Sequence, residues 1–152
     1  MEDRVFLQVL FLTGARISEV VKLLKGSDFS INKEGVVFVH LTTLKRRGEF
    51  KNMPRLVPIV SSEKYALEVF NYALAHRGVL FPFSRMTGWR IVKRYFKDAF
   101  PHYFRHARST LLLRDFETFG LNDLKTYHNW GSLTMAKYYV HSNVKDVVRK
   151  MK

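Results

Sequence analysis

Two short runs rich in β-branched residues, 36–41 and 56–60, stand in a chain whose other apolar residues recur at helical spacing. That pattern limits the fold to helices gathered around one small sheet. The segment between the runs, residues 42–55, is polar, holds Gly48 and Pro54, and reads as a long basic hairpin turn between antiparallel strands. Ahead of the sheet, Val5, Phe6, Leu7 and residues 9–12 are apolar nearly all round, as in a buried helix. Thr13-Gly14 breaks it, and Ile17, Val20, Val21 and Leu24 predict a second, amphipathic helix ending near Gly26. Beyond the sheet, Ser61 or Ser62 caps a predicted helix through Ala75, Thr87 caps one carrying Trp89, Val92 and Phe96, and Pro101 opens a third. Residues 121–127 and 133–139 read as short helices, and 144–152 as a basic terminal one. The fold class is therefore α+β, mostly α-helical, with a small antiparallel β-sheet.

The 152 residues fit one domain of ordinary size, and 47% apolar content can build a real core. Lys and Arg number 26 against 13 Asp and Glu, a formal charge of +13 that favours a polyanionic partner, nucleic acid before anionic membrane. The absence of cysteine excludes disulfide scaffolds, thiolate metal sites and Cys nucleophiles. No apolar run reaches the roughly 18 residues that span a bilayer, and MEDRVFLQ at the start lacks a signal-peptide pattern. A cytoplasmic, DNA-associated domain without a membrane partner is expected. The bases are gathered: Lys45, Arg46, Arg47, Lys51 and Arg55 face only Glu49 between residues 43 and 55, and eight bases face only Asp98 between 85 and 114. Two such segments form a one-sided patch rather than a basic tail. Arg46, Arg47 and Lys51 from the first, and Arg90, Lys93 and Arg94 from the second, are the candidate DNA contacts.

Two arginines stand where surface solvation explains them poorly. Arg16 follows the helix break in Thr13-Gly14-Ala15-Arg16-Ile17-Ser18-Glu19, and Arg105 lies among aromatics in Pro101-His102-Tyr103-Phe104-Arg105-His106. A planar guanidinium bridges two phosphate oxygens, and a pair of them can hold a phosphodiester as charge builds in a transition state. The plainer readings are an i,i+3 ion pair of Arg16 with Glu19 and stacking of Arg105 on Phe104 or Tyr103. His102, three residues before Arg105, can exchange a proton with a group on the same phosphate. His102 and His106 also have the spacing of a metal pair, but no carboxylate or third histidine completes it in sequence. Glu19 reads as structural, orienting Arg16 or bonding a helix end.

A third segment, Trp130-Gly131-Ser132-Leu133-Thr134-Met135-Ala136-Lys137-Tyr138-Tyr139-Val140-His141, completes a resemblance. TGARISEV resembles the first-arginine box of the tyrosine recombinases, PHYFRHARSTLLL their His-x-x-Arg box, and WGSLTMAKYYVH their nucleophile box, in the family's order. The likeness is to the catalytic domain of phage-integrase and Xer-like enzymes, and extends to integrases of archaeal viruses and plasmids. The family's nucleophilic tyrosine lies nine residues after a histidine. Here Trp130 occupies the histidine's place, and nine residues on stands Tyr139, with Tyr138 its neighbour. Some members carry Trp there, its indole N–H serving as phosphate donor. The family's lysine comes from the hairpin, where Lys45 is favoured and Lys51 is the alternative.

The resemblance implies DNA cleavage and rejoining without metal or cofactor. Tyr139 attacks the scissile phosphate, His102 takes its proton, Lys45 protonates the leaving oxygen, and Arg16, Arg105 and Trp130 hold the charge. It implies double-stranded DNA as partner and a dimer or tetramer on DNA in the full-length protein. Because the first box starts at residue 13, a catalytic domain spanning residues 1–152 without the family's N-terminal core-binding domain is expected. Two other readings stay open: a type IB topoisomerase, which shares fold and site, and a DNA-binding module without catalysis.

Overall fold

The computed structural model describes residues 1–42, 54–100, 102–116 and 119–128. It comprises helices α1 (Glu2–Thr13) and α2 (Ile17–Val20), strands β1 (Phe29–Ile31), β2 (Val36–Thr42) and β3 (Pro54–Val60), and helices α3 (Ala66–Ala75), α4 (Arg85–Tyr95), α5 (Tyr103–Asp115) and α6 (Leu121–His128). Met1–Arg108 and Ser109–Lys152 form two compact units.

In the first unit α1 is buried on nearly every side, as its all-round apolar sequence requires: Val5, Phe6, Val9, Leu10 and Leu12 lose almost all contact with solvent. The Phe6 ring meets Phe81 and Phe83 edge-on at centroid distances of 5.3 and 5.1 Å. α4 comes close over Gly88, where a Cβ would lie 2.9 Å from Ile17 Cγ2 and 3.1 Å from Phe6 Cζ. The sheet is antiparallel in the order β1-β2-β3, with Val37 opposite Ile59, Val39 opposite Val57 and Leu41 opposite Arg55. The strand period of two sends Val37, Val39, Leu41, Val57 and Ile59 to the core. In the second unit the buried Ser109 and His128 share a 2.8 Å hydrogen bond between Oγ and Nε2, and Phe119 meets Tyr127 edge-on.

Three local expectations are corrected, and one short strand is added. The second helix is a single turn: Val21 is already extended (φ −64°, ψ 134°), and from Lys22 (φ 61°) the chain pairs with residues 78–81. Lys22 N–H donates to the Phe81 carbonyl at 2.8 Å and Leu80 N–H to that of Leu24 at 2.9 Å, while Val20, Val21 and Leu24 stay buried as their spacing requires. β1 was not foreseen, being only three residues long. α3 starts at Ala66 rather than after Ser61 or Ser62, because Glu63 closes a turn back on Val60 instead of entering a helix. The cap of α4 is Ser84, whose Oγ accepts the Thr87 N–H at 3.1 Å, so Thr87 lies inside the first turn. Pro101 and the helices expected over 133–139 and 144–152 lie outside the described residues.

Candidate active site

The site begins where α1 ends. Gly14 adopts the left-handed conformation (φ 62°, ψ 21°) and its N–H returns to the Leu10 carbonyl at 2.9 Å, an αL cap that glycine reaches without strain. Thr13 Oγ1 donates to the Val9 carbonyl at 2.6 Å and accepts the Ala15 N–H at 3.1 Å. Arg16, extended at φ −76° and ψ 150°, precedes the first residue of α2. Its backbone N–H donates to Glu19 Oε2 at 2.9 Å, so Glu19 reaches back to the start of its own helical turn.

The same carboxylate collects both arginines. Glu19 Oε1 lies 3.8 Å from Arg16 Nη1, and Oε2 lies 3.4 Å from Arg105 Nη2, a partner 86 residues away. Arg105 is further fixed by Nε donating to the Gly14 carbonyl at 2.9 Å. The Glu19 side chain is 2% exposed, that of Arg105 7% and that of Arg16 21%. Two cations thus converge on one anion, and the outer guanidinium belongs to Arg16. Arg16 Nε is buried and has no hydrogen-bond partner among the described residues. A buried donor without an acceptor is costly, and an anion placed against the pair supplies one.

Both plainer expectations for Arg16 and Glu19 hold locally, since the i,i+3 pair forms and Glu19 does bond a helix start. Neither anticipates that Arg105 joins them. His102 stands just before α5, exposed, its carbonyl accepting the His106 N–H at 2.9 Å. The His106 ring lies 6.2 Å from Phe100, edge-on. Among the described residues no three His, Asp or Glu side chains gather as a metal would require. Lys45, Arg46, Arg47, Lys51, Trp130, Tyr138 and Tyr139 lie outside the described residues. On α4, Arg90 is exposed, Arg94 Nη1 pairs with Asp3 Oδ2 at 3.2 Å, and Lys93 Nζ donates to the carbonyls of Lys97 and Ala99 and lies 5.7 Å from the centre of the Trp89 ring.

Two buried arginines escaped the sequence reading. Arg108 is 1% exposed and binds Glu63 in a fork, with Nη1 2.5 Å from Oε2 and Nη2 3.1 Å from Oε1. Arg55, counted there with the basic turn, is buried, and its Nη2 donates to the Thr13 carbonyl at 2.8 Å. The strand period carried the signal for Arg55: it shares parity with the core residues Val57 and Ile59.

A family model described as the phage integrase family matches residues 1–146. The chain belongs to that family. Tyrosine recombinase XerC of Staphylococcus carnosus (strain TM300) is 30% identical to it, over 76% of this chain and 41% of XerC. The fold is that of solved recombinases. XerH, in a pre-cleavage complex with its difH substrate, matches with a TM-score of 0.73 at 16% identity, over 99% of this chain and 46% of XerH. XerA matches with a TM-score of 0.63 at 19% identity, over 99% of this integrase-family chain and 61% of XerA. The Tn1549 transposon integrase in complex with circular intermediate DNA gives 0.60 at 21% identity, over 99% and 56%. The chain therefore spans about half the length of these relatives.

Proposed function

We propose that this chain is the catalytic domain of a site-specific DNA recombinase that breaks and rejoins strands through a covalent 3′-phosphotyrosyl intermediate. The observation that carries this reading is the convergence of Arg16 and Arg105 on Glu19, with Arg16 Nε buried and lacking an acceptor among the described residues. A scissile phosphate against the outer guanidinium supplies that acceptor, and its negative charge grows as a fifth oxygen approaches phosphorus. The charge of +13 and the similarity to XerC, XerH and the Tn1549 integrase support DNA as the substrate.

In this reading the Tyr139 hydroxyl is the nucleophile. A phenol with the usual pKa near 10 is mostly protonated at neutral pH and needs a base. His102 takes that proton as the phenolic oxygen bonds to phosphorus. The bond from phosphorus to the 5′-oxygen breaks, and Lys45 gives that departing oxygen a proton, releasing a 5′-hydroxyl. The new phosphotyrosyl ester keeps the energy of the bond it replaces, so attack by another strand's 5′-hydroxyl rejoins DNA without ATP. Arg16 and Arg105 hold the non-bridging oxygens, with the Trp130 indole N–H as a further donor. Arg46, Arg47, Lys51, Arg90, Lys93 and Arg94 contact the duplex around the break. On DNA the protein works as a dimer or tetramer.

Incubation with a nicked duplex, in which the cleaved end diffuses away, tests this directly. Wild type is expected to give a protein–DNA adduct resistant to detergent, absent in Tyr139→Phe and present in Tyr138→Phe. No adduct from wild type on any cleavable duplex would leave only a DNA binder. Relaxation of a supercoiled plasmid without strand exchange would instead favour the topoisomerase reading.

A further inference from the structure

Arg55 is a buried cation that the reaction as derived does not use. It lies on β3, where residues 54, 56, 58 and 60 face outward and Arg55, Val57 and Ile59 face the core. Its strand partner is Leu41, and only 3% of the residue is exposed. Burying a guanidinium requires strong compensation, which an apolar residue of similar volume would not need, so core packing alone does not account for it. Its Nη2 donates to the Thr13 carbonyl at 2.8 Å. Arg105 Nε donates to the next carbonyl, that of Gly14, at 2.9 Å. Two guanidiniums from different elements, β3 and α5, therefore grip consecutive carbonyl oxygens of the break that ends α1. Both oxygens belong to the last turn, where carbonyls lack helical partners and the helix dipole is negative. Arg16 is two residues further on.

We propose that Arg55 is a positioning residue for Arg16. By fixing the Thr13 carbonyl it sets the direction in which the chain leaves α1, and so brings the Arg16 guanidinium to the carboxylate that also binds Arg105. Arg105 is held by the neighbouring carbonyl and by Glu19, so Arg55 and Arg105 clamp the loop from β3 and α5 while Arg16 remains the more exposed of the converging pair. The assignment rests on the recombinase reading for its catalytic consequence, but its geometric part stands apart from that reading.

The test uses the full chain with Arg55→Gln and Arg55→Lys. The first readout needs no DNA: the NMR signal of the Arg16 Nε–H group, assigned by its loss in Arg16→Lys. The second is the first-order rate of covalent attachment at saturating nicked duplex, separated from the amplitude that counts competent molecules. Arg55→Gln is expected to move the Arg16 signal and to slow attachment by about tenfold to hundredfold, the scale of a small misplacement of a reacting group. Amplitude and duplex affinity should stay within about threefold, since neither depends on placement alone. Arg55→Lys keeps a donor and should recover part of both effects. An unmoved Arg16 signal in both variants, or a loss seen only in amplitude, overturns the assignment. If Arg55→Gln does not fold, Arg55→Lys decides, and if neither folds, Arg55 is a scaffold residue and the assignment fails. If wild type itself forms no adduct, the recombinase reading fails instead, and the Arg16 signal alone judges Arg55.

Discussion

Arg55 and Arg105 commit their donors in the interior to backbone carbonyls and, for Arg105, to a buried carboxylate, whereas Arg94 on α4 pairs with Asp3 at the surface and Arg90 stands exposed. The charges are equal and their uses are not. A desolvated guanidinium is held in one orientation by partners that cannot turn away, so its geometry is part of the fold. An exposed base keeps its rotamers and its water, which suits contact with a phosphate backbone whose exact position varies. In the proposed reading, the net charge divides into a few cations that shape the reactive centre and others that attract and orient a duplex.

The sharpest way to break this contrast is to remove the shared anion. Glu19→Ala leaves two converging guanidiniums without their carboxylate, and should lower unfolding free energy by about 3–5 kcal/mol in chemical denaturation. A loss below about 1 kcal/mol would mean that the carboxylate does not organise the pair. Next comes the backbone beneath it. Gly14→Ala forces a Cβ into the left-handed region at φ 62° and should cost about 1 kcal/mol. It should slow covalent attachment more than it weakens duplex binding, because the loop carrying Arg16 shifts. On the exposed side the effect on stability shrinks further: Arg94→Ala should change unfolding free energy by less than about 0.5 kcal/mol despite its pair with Asp3. Its effect belongs instead to DNA affinity, lowering the slope of log affinity against log salt by about 1, and Arg90→Ala should do the same. An Arg94→Ala variant that abolished attachment at saturating DNA would erase the distinction between the two groups.

How much of this was legible before the coordinates depended on distance along the chain. The all-round apolar α1, the break at Thr13-Gly14 and the inward side chains of β2 and β3 follow from local periodicity. So does the pairing of Arg16 with Glu19, three residues apart. That Glu19 also binds Arg105 could not be read locally, because the contact closes 86 residues. α2 ended early for the same kind of reason: just beyond it a long-range partner, Phe81, offers its carbonyl to Lys22 where helical spacing predicted continuation. Arg55 was misread because its charge outweighed its parity. A cation beside a basic turn reads as solvated, yet two residues on, Val57 already marks the inner face. Arg108 carried no such mark, and its fork with Glu63 closes 45 residues, beyond the reach of local patterning. The roles given to Tyr139, Trp130 and Lys45 rest on motif and spacing.

The central claim is that Arg16 and Arg105 act on one phosphate as a unit. A double-mutant cycle on the rate of covalent attachment tests it most directly, using Arg16→Lys and Arg105→Lys, which keep the charge but lose the fork. The account predicts that each single change slows attachment substantially and that the double variant is little slower than the worse single one, since either loss already spoils the shared grip. Fold-losses that multiply, each arginine acting as if the other were absent, would contradict it.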